Sequence, residues 1–81
     1  MFEVTLSAIA KGSAERVERV VHKHSGGALD HVARVALLAD VQAGRPRVVA
    51  RYHERHCADN ALAELCLLRA TASVSAAQAA A

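Results

Sequence analysis

The spacing of apolar residues changes within the first quarter of the chain. In FEVTLSAI, residues 2–9, apolar and polar side chains alternate, which is typical of a half-buried β-strand. The segment AKGS ends this alternation, and from Ser13 the inward positions recur at i, i+3, i+4 and i+7, as on one helix face. A Gly-Ser cap predicts the start of this helix and Ser25-Gly26-Gly27 its end. Its inward positions are Val17, Val20, Val21 and His24.

The stretch ALDHVARVALLAD, residues 28–40, allows two interpretations. Its composition favours a helix slightly. The same residues can instead form a buried strand that turns at Gly44-Arg45-Pro46 and returns over residues 47–53 as a hairpin. The order of elements is β-α-α-β-α-β with the helix and β-α-β-β-α-β with the hairpin. Both orders predict a two-layer α+β fold with helices on one face of a small sheet.

A last helix, capped by Cys57 or Asp59, continues without a glycine into the short strand TASVSA, residues 71–76, which buries Val74. Residues 77–81 contain no large apolar side chain to pack. We therefore predict one domain over residues 1–76 and a flexible tail over residues 77–81. The apolar stripe of the last helix consists of Ala61, Leu62, Leu65, Cys66 and Leu68.

Size and composition limit what kind of protein this can be. At 81 residues the chain forms one small domain that buries only about 60–65% of its unfolded surface, so a partner is expected. Alanine supplies 19 residues, and the core must come mainly from ten valines and eight leucines. The chain has no run of 18 apolar residues and no signal-peptide pattern, which predicts a cytoplasmic protein with no membrane partner.

The stretch RPRVVARYHERHC, residues 45–57, contains four arginines in a chain whose net charge is only +2. On a strand, Val48, Ala50 and Tyr52 share the buried face, while the basic residues share the other face. Val49 is the one apolar residue on that wet face. No aromatic residues are interleaved for base stacking, so we do not expect a nucleic acid; the charged face either protects a strand from edge pairing or meets an acidic partner. The predicted docking face consists of Arg47, Arg51, His53 and Arg55.

The same stretch offers donors for a metal ion. Imidazole and thiolate groups suit Zn²⁺ or Ni²⁺, and His53, His56 and Cys57 would supply three ligands at a strand-to-helix corner. The chain has neither a Cys-x-x-Cys nor a His-x-x-x-His motif. The prediction is therefore no metal and no other cofactor, with a metal-responsive domain as an alternative.

The sequence does not predict an enzyme. The neighbouring Asp30 and His31 would point to opposite faces of a strand, and no nucleophile has a base at the spacing of a known motif. A non-catalytic role is expected, and no catalytic residue is assigned.

The segments KGSAERVERVV, residues 11–21, and SGGALDHV, residues 25–32, resemble the start of an ACT domain, in which a strand runs through a glycine turn into a helix. ERVERVVHKH and ELCLLRATASV further resemble the short regulatory subunits of acetolactate synthase, which are near stand-alone ACT domains. The resemblance implies a ferredoxin-like β-α-β-β-α-β fold. The first segment matches at Gly12, Arg16 and Val17, and the second at Gly26, Leu29 and Val32.

The ACT resemblance also implies a function. The chain would be a homodimeric regulatory subunit bound to a larger catalytic subunit, the thiamine-diphosphate enzyme of branched-chain amino acid biosynthesis. A small amino acid effector would sit between two ACT domains, although Ile9 and Lys11 stand where effector-binding members carry Asn and Pro. The implied effector and interface residues are Lys11, Gly12, Ser13, Ala14, Leu29 and Asp30.

A second resemblance implies the other order of elements. FEVTL, the first helix and SGGAL are similar to the C-terminal domain of the ribosomal stalk protein and to the Clp protease adaptor, which share a β-α-α-β-α-β fold. This resemblance implies a protein-binding adaptor module. The chain departs from it at Ala8-Ile9-Ala10, where the Clp adaptor has Asn-Asp-Asp.

Overall fold

The computed structural model describes residues 1–25 and 29–76, which contain three strands and three helices. In chain order these are β1 (Phe2–Ala8), α1 (Ala14–Ser25), α2 (His31–Gln42), β2 (Arg47–Tyr52), α3 (Arg55–Leu67) and β3 (Thr71–Ala76). The strands form one antiparallel sheet in the order β2-β1-β3. The helices and the sheet enclose a single core, and the predicted α+β class is confirmed.

The middle of the chain is a helix, so the predicted hairpin and the β-α-β-β-α-β order are wrong. Residues 31–42 form α2, and the observed order is β-α-α-β-α-β. Asp30 caps this helix, because its carboxylate accepts a hydrogen bond of 2.8 Å from the Ala33 N–H. Gly44, with φ of +88°, ends it. α2 buries Leu37, Leu38 and Val41 and leaves Val32 and Val35 exposed.

Strand β2 contains a β-bulge that changes which of its residues are buried. Its pairing with β1 shifts between Val4 and Thr5, and Val49 has no partner of its own there. Val49 and Ala50 are therefore both buried, with 4% and 7% of their surface exposed. The prediction from the alternation that Val49 faces solvent is wrong, because the bulge interrupts the pleat of the strand.

The core forms between the sheet and all three helices. Val4 and Leu6 of β1 are fully buried, and the antiparallel pairing of β1 with β3 places Ala8 opposite Thr71. The end of β1 therefore lies beside the start of β3. The helices contribute to this core mainly Val17, Val21, Leu37, Val41, Ala58, Ala61 and Leu65.

Two predicted features, the end of α1 at Gly26-Gly27 and the tail over residues 77–81, lie outside the described residues. Within the described ranges the longest helix has 13 residues, and none has the length and apolar character needed to cross a bilayer.

Candidate functional site

Most basic side chains of the protein are already paired with acidic ones. Of the ten lysines and arginines, all but three lie within ion-pair distance of a carboxylate in the described part of the chain. The three without such a pair are Lys11, Arg16 and Arg69.

These three cations line the same cleft, which has a volume of about 310 Å³. Among the described residues, no carboxylate contributes to its walls. A cleft with cations and no internal counter-charge produces a positive potential that attracts anionic groups. The complete lining is Ala10, Lys11, Ser13, Arg16, Leu67, Leu68 and Arg69.

One wall of the cleft is the turn between β1 and α1. The Ser13 N–H donates a 3.0 Å hydrogen bond to the Ala10 carbonyl, and Gly12 has φ of +86°, which suits glycine at the third position of a β-turn. The first helical bond of α1 runs from the Val17 N–H to the Ser13 carbonyl. The N–H groups of the first turn of α1 therefore have no acceptor within the helix, and they add to the positive potential beside Lys11.

The opposite wall is the C-terminal end of α3, where Arg69 adopts a left-handed conformation. Arg69 has φ of 60°, and its N–H bonds the Cys66 carbonyl while the Ala70 N–H bonds the Leu65 carbonyl. This is a Schellman motif, which usually places glycine at the left-handed position. A non-glycine residue there costs roughly 1–2 kcal/mol of backbone energy. The conformation directs the chain from α3 into β3 and leaves an arginine at the cleft.

The cleft also has an apolar wall. Leu67 is 83% exposed and Leu68 is partly buried against the core. A large apolar side chain that is almost fully exposed beside a group of cations offers contact area to a ligand with both charged and apolar parts.

The predicted docking face is only partly a strand face, and its arginines are paired within the chain. Arg47 bonds Asp40, and Arg51 Nε lies 2.7 Å from Glu3 Oε2. Arg55 belongs to α3 and not to the strand, and its Nε lies 3.7 Å from Asp59 Oδ2. His53 follows the last residue of β2 and is exposed. These pairs reduce the net positive charge that the face presents, and its role in docking stays a prediction.

The residues implied by the ACT resemblance lie in different parts of the molecule. Lys11 and Ser13 line the basic cleft, Gly12 forms its turn, and Ala14 is the first residue of α1. Asp30 is engaged as the cap of α2, because no second strand forms there. Leu29 lines a separate cleft of about 240 Å³, shared with the C-terminal end of α1 and with β2.

A polar network joins α1, β2 and α3 at that second cleft. The Tyr52 hydroxyl is hydrogen bonded to His24 Nδ1, and His24 Nε2 lies 2.9 Å from Glu64 Oε2. Lys23 Nζ lies 2.9 Å from the other oxygen of Glu64. Hydrogen bonds from Lys23 and His24 lower the pKa of Glu64, whereas burial, Cys57 and Glu64 raise the pKa of Tyr52. The phenol therefore stays protonated, and the network can link three elements but does not provide an activated nucleophile.

Two of the three predicted metal donors, His56 and Cys57, lie close together at the corner between β2 and α3. The third member of their cluster is Glu54 and not His53.

Sequence reasoning missed Arg16, Leu67 and Arg69 as site residues. One signal was available, because the last helix passes into a strand without the glycine that such a turn usually needs. No protein family model, curated protein or solved structure matches this chain.

Proposed function

We propose that this protein is a non-catalytic protein-binding module whose basic cleft receives an acidic segment of a partner protein. The observation that carries this proposal is that the three lysines and arginines without an ion pair in residues 1–25 and 29–76, namely Lys11, Arg16 and Arg69, all line one cleft. A carboxylate on the partner supplies the counter-charge that the cleft lacks.

The chemistry of the cleft favours a peptide over a nucleic acid. Among the described residues, its walls carry the apolar side chains of Leu67 and Leu68 and no aromatic ring on which a base would stack. The ligand is therefore an acidic segment that also contains an apolar side chain. Charge attraction speeds its association, and burial of the exposed Leu67 contributes to affinity.

The order of elements supports the same class of function. The order β-α-α-β-α-β is the one implied by the resemblance to the ribosomal stalk domain and the Clp adaptor, both protein-binding modules. The ACT-type regulatory subunit implies a second strand where residues 31–42 form a helix, and no observation on the described residues favours it over the adaptor. Where the Clp adaptor has acidic residues before the turn, this chain has Ala8-Ile9-Ala10, so we expect a ligand of negative charge.

A binding measurement with matched charge reversals tests the proposal. A fluorescent peptide rich in glutamate and containing leucine is titrated with the native chain and with Arg16→Glu and Arg19→Glu variants. Both arginines lie on α1 and both changes alter net charge equally, but Arg19 is paired with Glu15 outside the cleft. We expect Arg16→Glu to weaken binding at least about tenfold, since reversal removes an attraction and adds a repulsion, each of about 1 kcal/mol at 4 Å even in bulk water. Arg19→Glu should change it less than about twofold, as expected for a screened, exposed pair.

Equal weakening by the two variants would mean that the peptide responds only to net charge, and it would refute the cleft as the binding site. A lysine-rich peptide of the same length serves as the second control and should not bind.

A further inference from the structure

The corner between β2 and α3 brings three different donor groups together. A carboxylate oxygen of Glu54, an imidazole nitrogen of His56 and the sulfur of Cys57 all lie within 4.8 Å of one another. His56 Nδ1 and Glu54 Oε2 are 3.2 Å apart. The cluster lies at the opposite end of α3 from the basic cleft, so it is a separate feature of the molecule.

Apart from the contact between His56 Nδ1 and Glu54 Oε2, no hydrogen bond or ion pair among the described residues engages these donor groups. Glu54 is the N-cap residue of α3, but its side chain makes no capping hydrogen bond. Arg55, the cation between the donors in sequence, is directed to Asp59, with 3.7 Å between Nε and Oδ2. The carboxylate and a thiolate together would balance the charge of a divalent cation.

The donor set and its spacing identify the class of ion. One oxygen, one nitrogen and one sulfur form a borderline-soft set that suits Zn²⁺ or Co²⁺, whereas Mg²⁺ and Ca²⁺ prefer oxygen alone. Bond lengths to Zn²⁺ place tetrahedral donors about 3.3–3.8 Å apart. Because no two donors are more than 4.8 Å apart, they need to approach one another by at most about 1.5 Å. The side chains of His56 and Glu54 are 71% and 68% exposed, so rotation of these side chains suffices.

We propose that Glu54, His56 and Cys57 bind one zinc-class transition-metal ion, with water in the fourth position. The Cys57 thiol releases its proton to solvent as its sulfur binds the ion. The site differs from the set predicted from the sequence, because Glu54 takes the place of His53. Metal binding would fix the chain where β2 ends and α3 begins.

Cobalt provides a direct test, since a Co²⁺–thiolate bond produces a charge-transfer absorption and tetrahedral Co²⁺ produces strong visible bands. The reduced chain, without a polyhistidine tag, is titrated with CoCl₂ and then with ZnCl₂. We expect both absorptions to appear at one equivalent and to disappear as Zn²⁺ displaces Co²⁺. Cys57→Ser should abolish the charge-transfer absorption, and His56→Gln should weaken Co²⁺ binding at least about tenfold, which is the usual effect of disturbing even an outer-shell partner.

Two variants serve as matched controls. Cys66→Ser removes the other thiol of α3, and His53→Gln removes the histidine that the geometry leaves out. Both should bind Co²⁺ within about twofold of the native chain. The proposal is overturned if the native chain shows no charge-transfer absorption with millimolar Co²⁺, if that absorption survives in Cys57→Ser, or if His53→Gln weakens binding as much as His56→Gln. Far-ultraviolet circular dichroism of each variant verifies that the fold is retained.

Discussion

Helices α2 and α3 end with the same hydrogen-bond pattern but with different residues at the critical position. At the end of α2 the Gly44 N–H bonds the Val41 carbonyl and the Arg45 N–H bonds the Asp40 carbonyl, with φ of +88° at Gly44. At the end of α3 the left-handed residue is Arg69, with φ of 60°. The first end carries the residue with the lowest backbone cost, and the second does not.

Both helix ends form the same turn, in which one residue adopts a left-handed conformation, so the turn itself does not explain why the two residues differ. If only the turn mattered, glycine would serve at both ends. The end that carries the strained arginine lies at the basic cleft, and the end that carries glycine lies outside it. Strain is most often found where a side chain has a function, so we attribute Arg69 to the cleft and not to the turn.

Truncation of Leu65 should have the largest effect. Its carbonyl accepts the Ala70 N–H and its side chain is 1% exposed, so it joins the end of α3 to the core. Leu65→Ala should lower the free energy of unfolding by about 3 kcal/mol, measured by urea denaturation, whereas Leu67→Ala, at a site 83% exposed, should lower it by less than about 0.5 kcal/mol. Similar losses in the two variants would show that the core does not hold this helix end.

Arginine at the other helix end should reproduce the strain. A Cβ at Gly44 would meet no atom within 4 Å, so the cost of Gly44→Arg comes from the backbone alone. We expect a loss of about 1 kcal/mol in the free energy of unfolding, since left-handed strain exceeds the entropy gained by removing glycine from the unfolded chain. An unchanged free energy of unfolding would mean that arginine adopts the left-handed conformation without strain. The comparison of the two helix ends would then give no reason to assign Arg69 to the cleft.

Glycine at the end of α3 should relieve the strain. Arg69→Gly should raise the free energy of unfolding by about 0.5–1 kcal/mol, the reverse of the change at Gly44. Thermal unfolding of the variant and the native chain, at equal concentration, measures the difference. A less stable variant would indicate that the arginine side chain stabilises the fold.

The smallest expected effect is a pH dependence from Glu64, which precedes Leu65 and joins α3 to α1. Hydrogen bonds from Lys23 and His24 lower its pKa below the ordinary 4.5, so its contribution to stability is present above that pH and decreases as pH falls through the lowered folded pKa. Because its side chain is 35% exposed, solvent weakens the effect. Glu64→Gln should flatten the acid limb of the stability curve, measured by urea denaturation between pH 6 and pH 3. Parallel curves for variant and native chain would contradict this contribution.

Elements with one clearly apolar face could be predicted from the sequence, whereas a segment that is apolar on nearly all sides could not. The alternation in β1 and the i, i+3, i+4 pattern of α1 identified both elements, because each has one clearly apolar face. Residues 28–40 are apolar nearly all round, so periodicity could not distinguish a helix from a buried strand. The decisive signals there were local, namely Asp30 as a cap and Gly44 as a stop.

The candidate site was harder to predict because its parts are far apart in sequence. Lys11 and Arg69 line one cleft because β1 pairs with β3, which places Ala8 opposite Thr71. The sequence showed where arginines concentrate, in residues 45–57, but not that their charges are paired internally. Unpaired charge, which indicates the cleft, is a property of the folded chain.

The most direct test of this account is the affinity of the Arg69→Gly variant for the acidic peptide, measured beside its stability. The account predicts opposite changes, with a more stable protein that binds the peptide about fivefold more weakly, as expected for the loss of one charge contact of about 1 kcal/mol. Unchanged affinity in a stabilised variant would contradict the claim that this arginine is kept in a strained conformation to bind a partner.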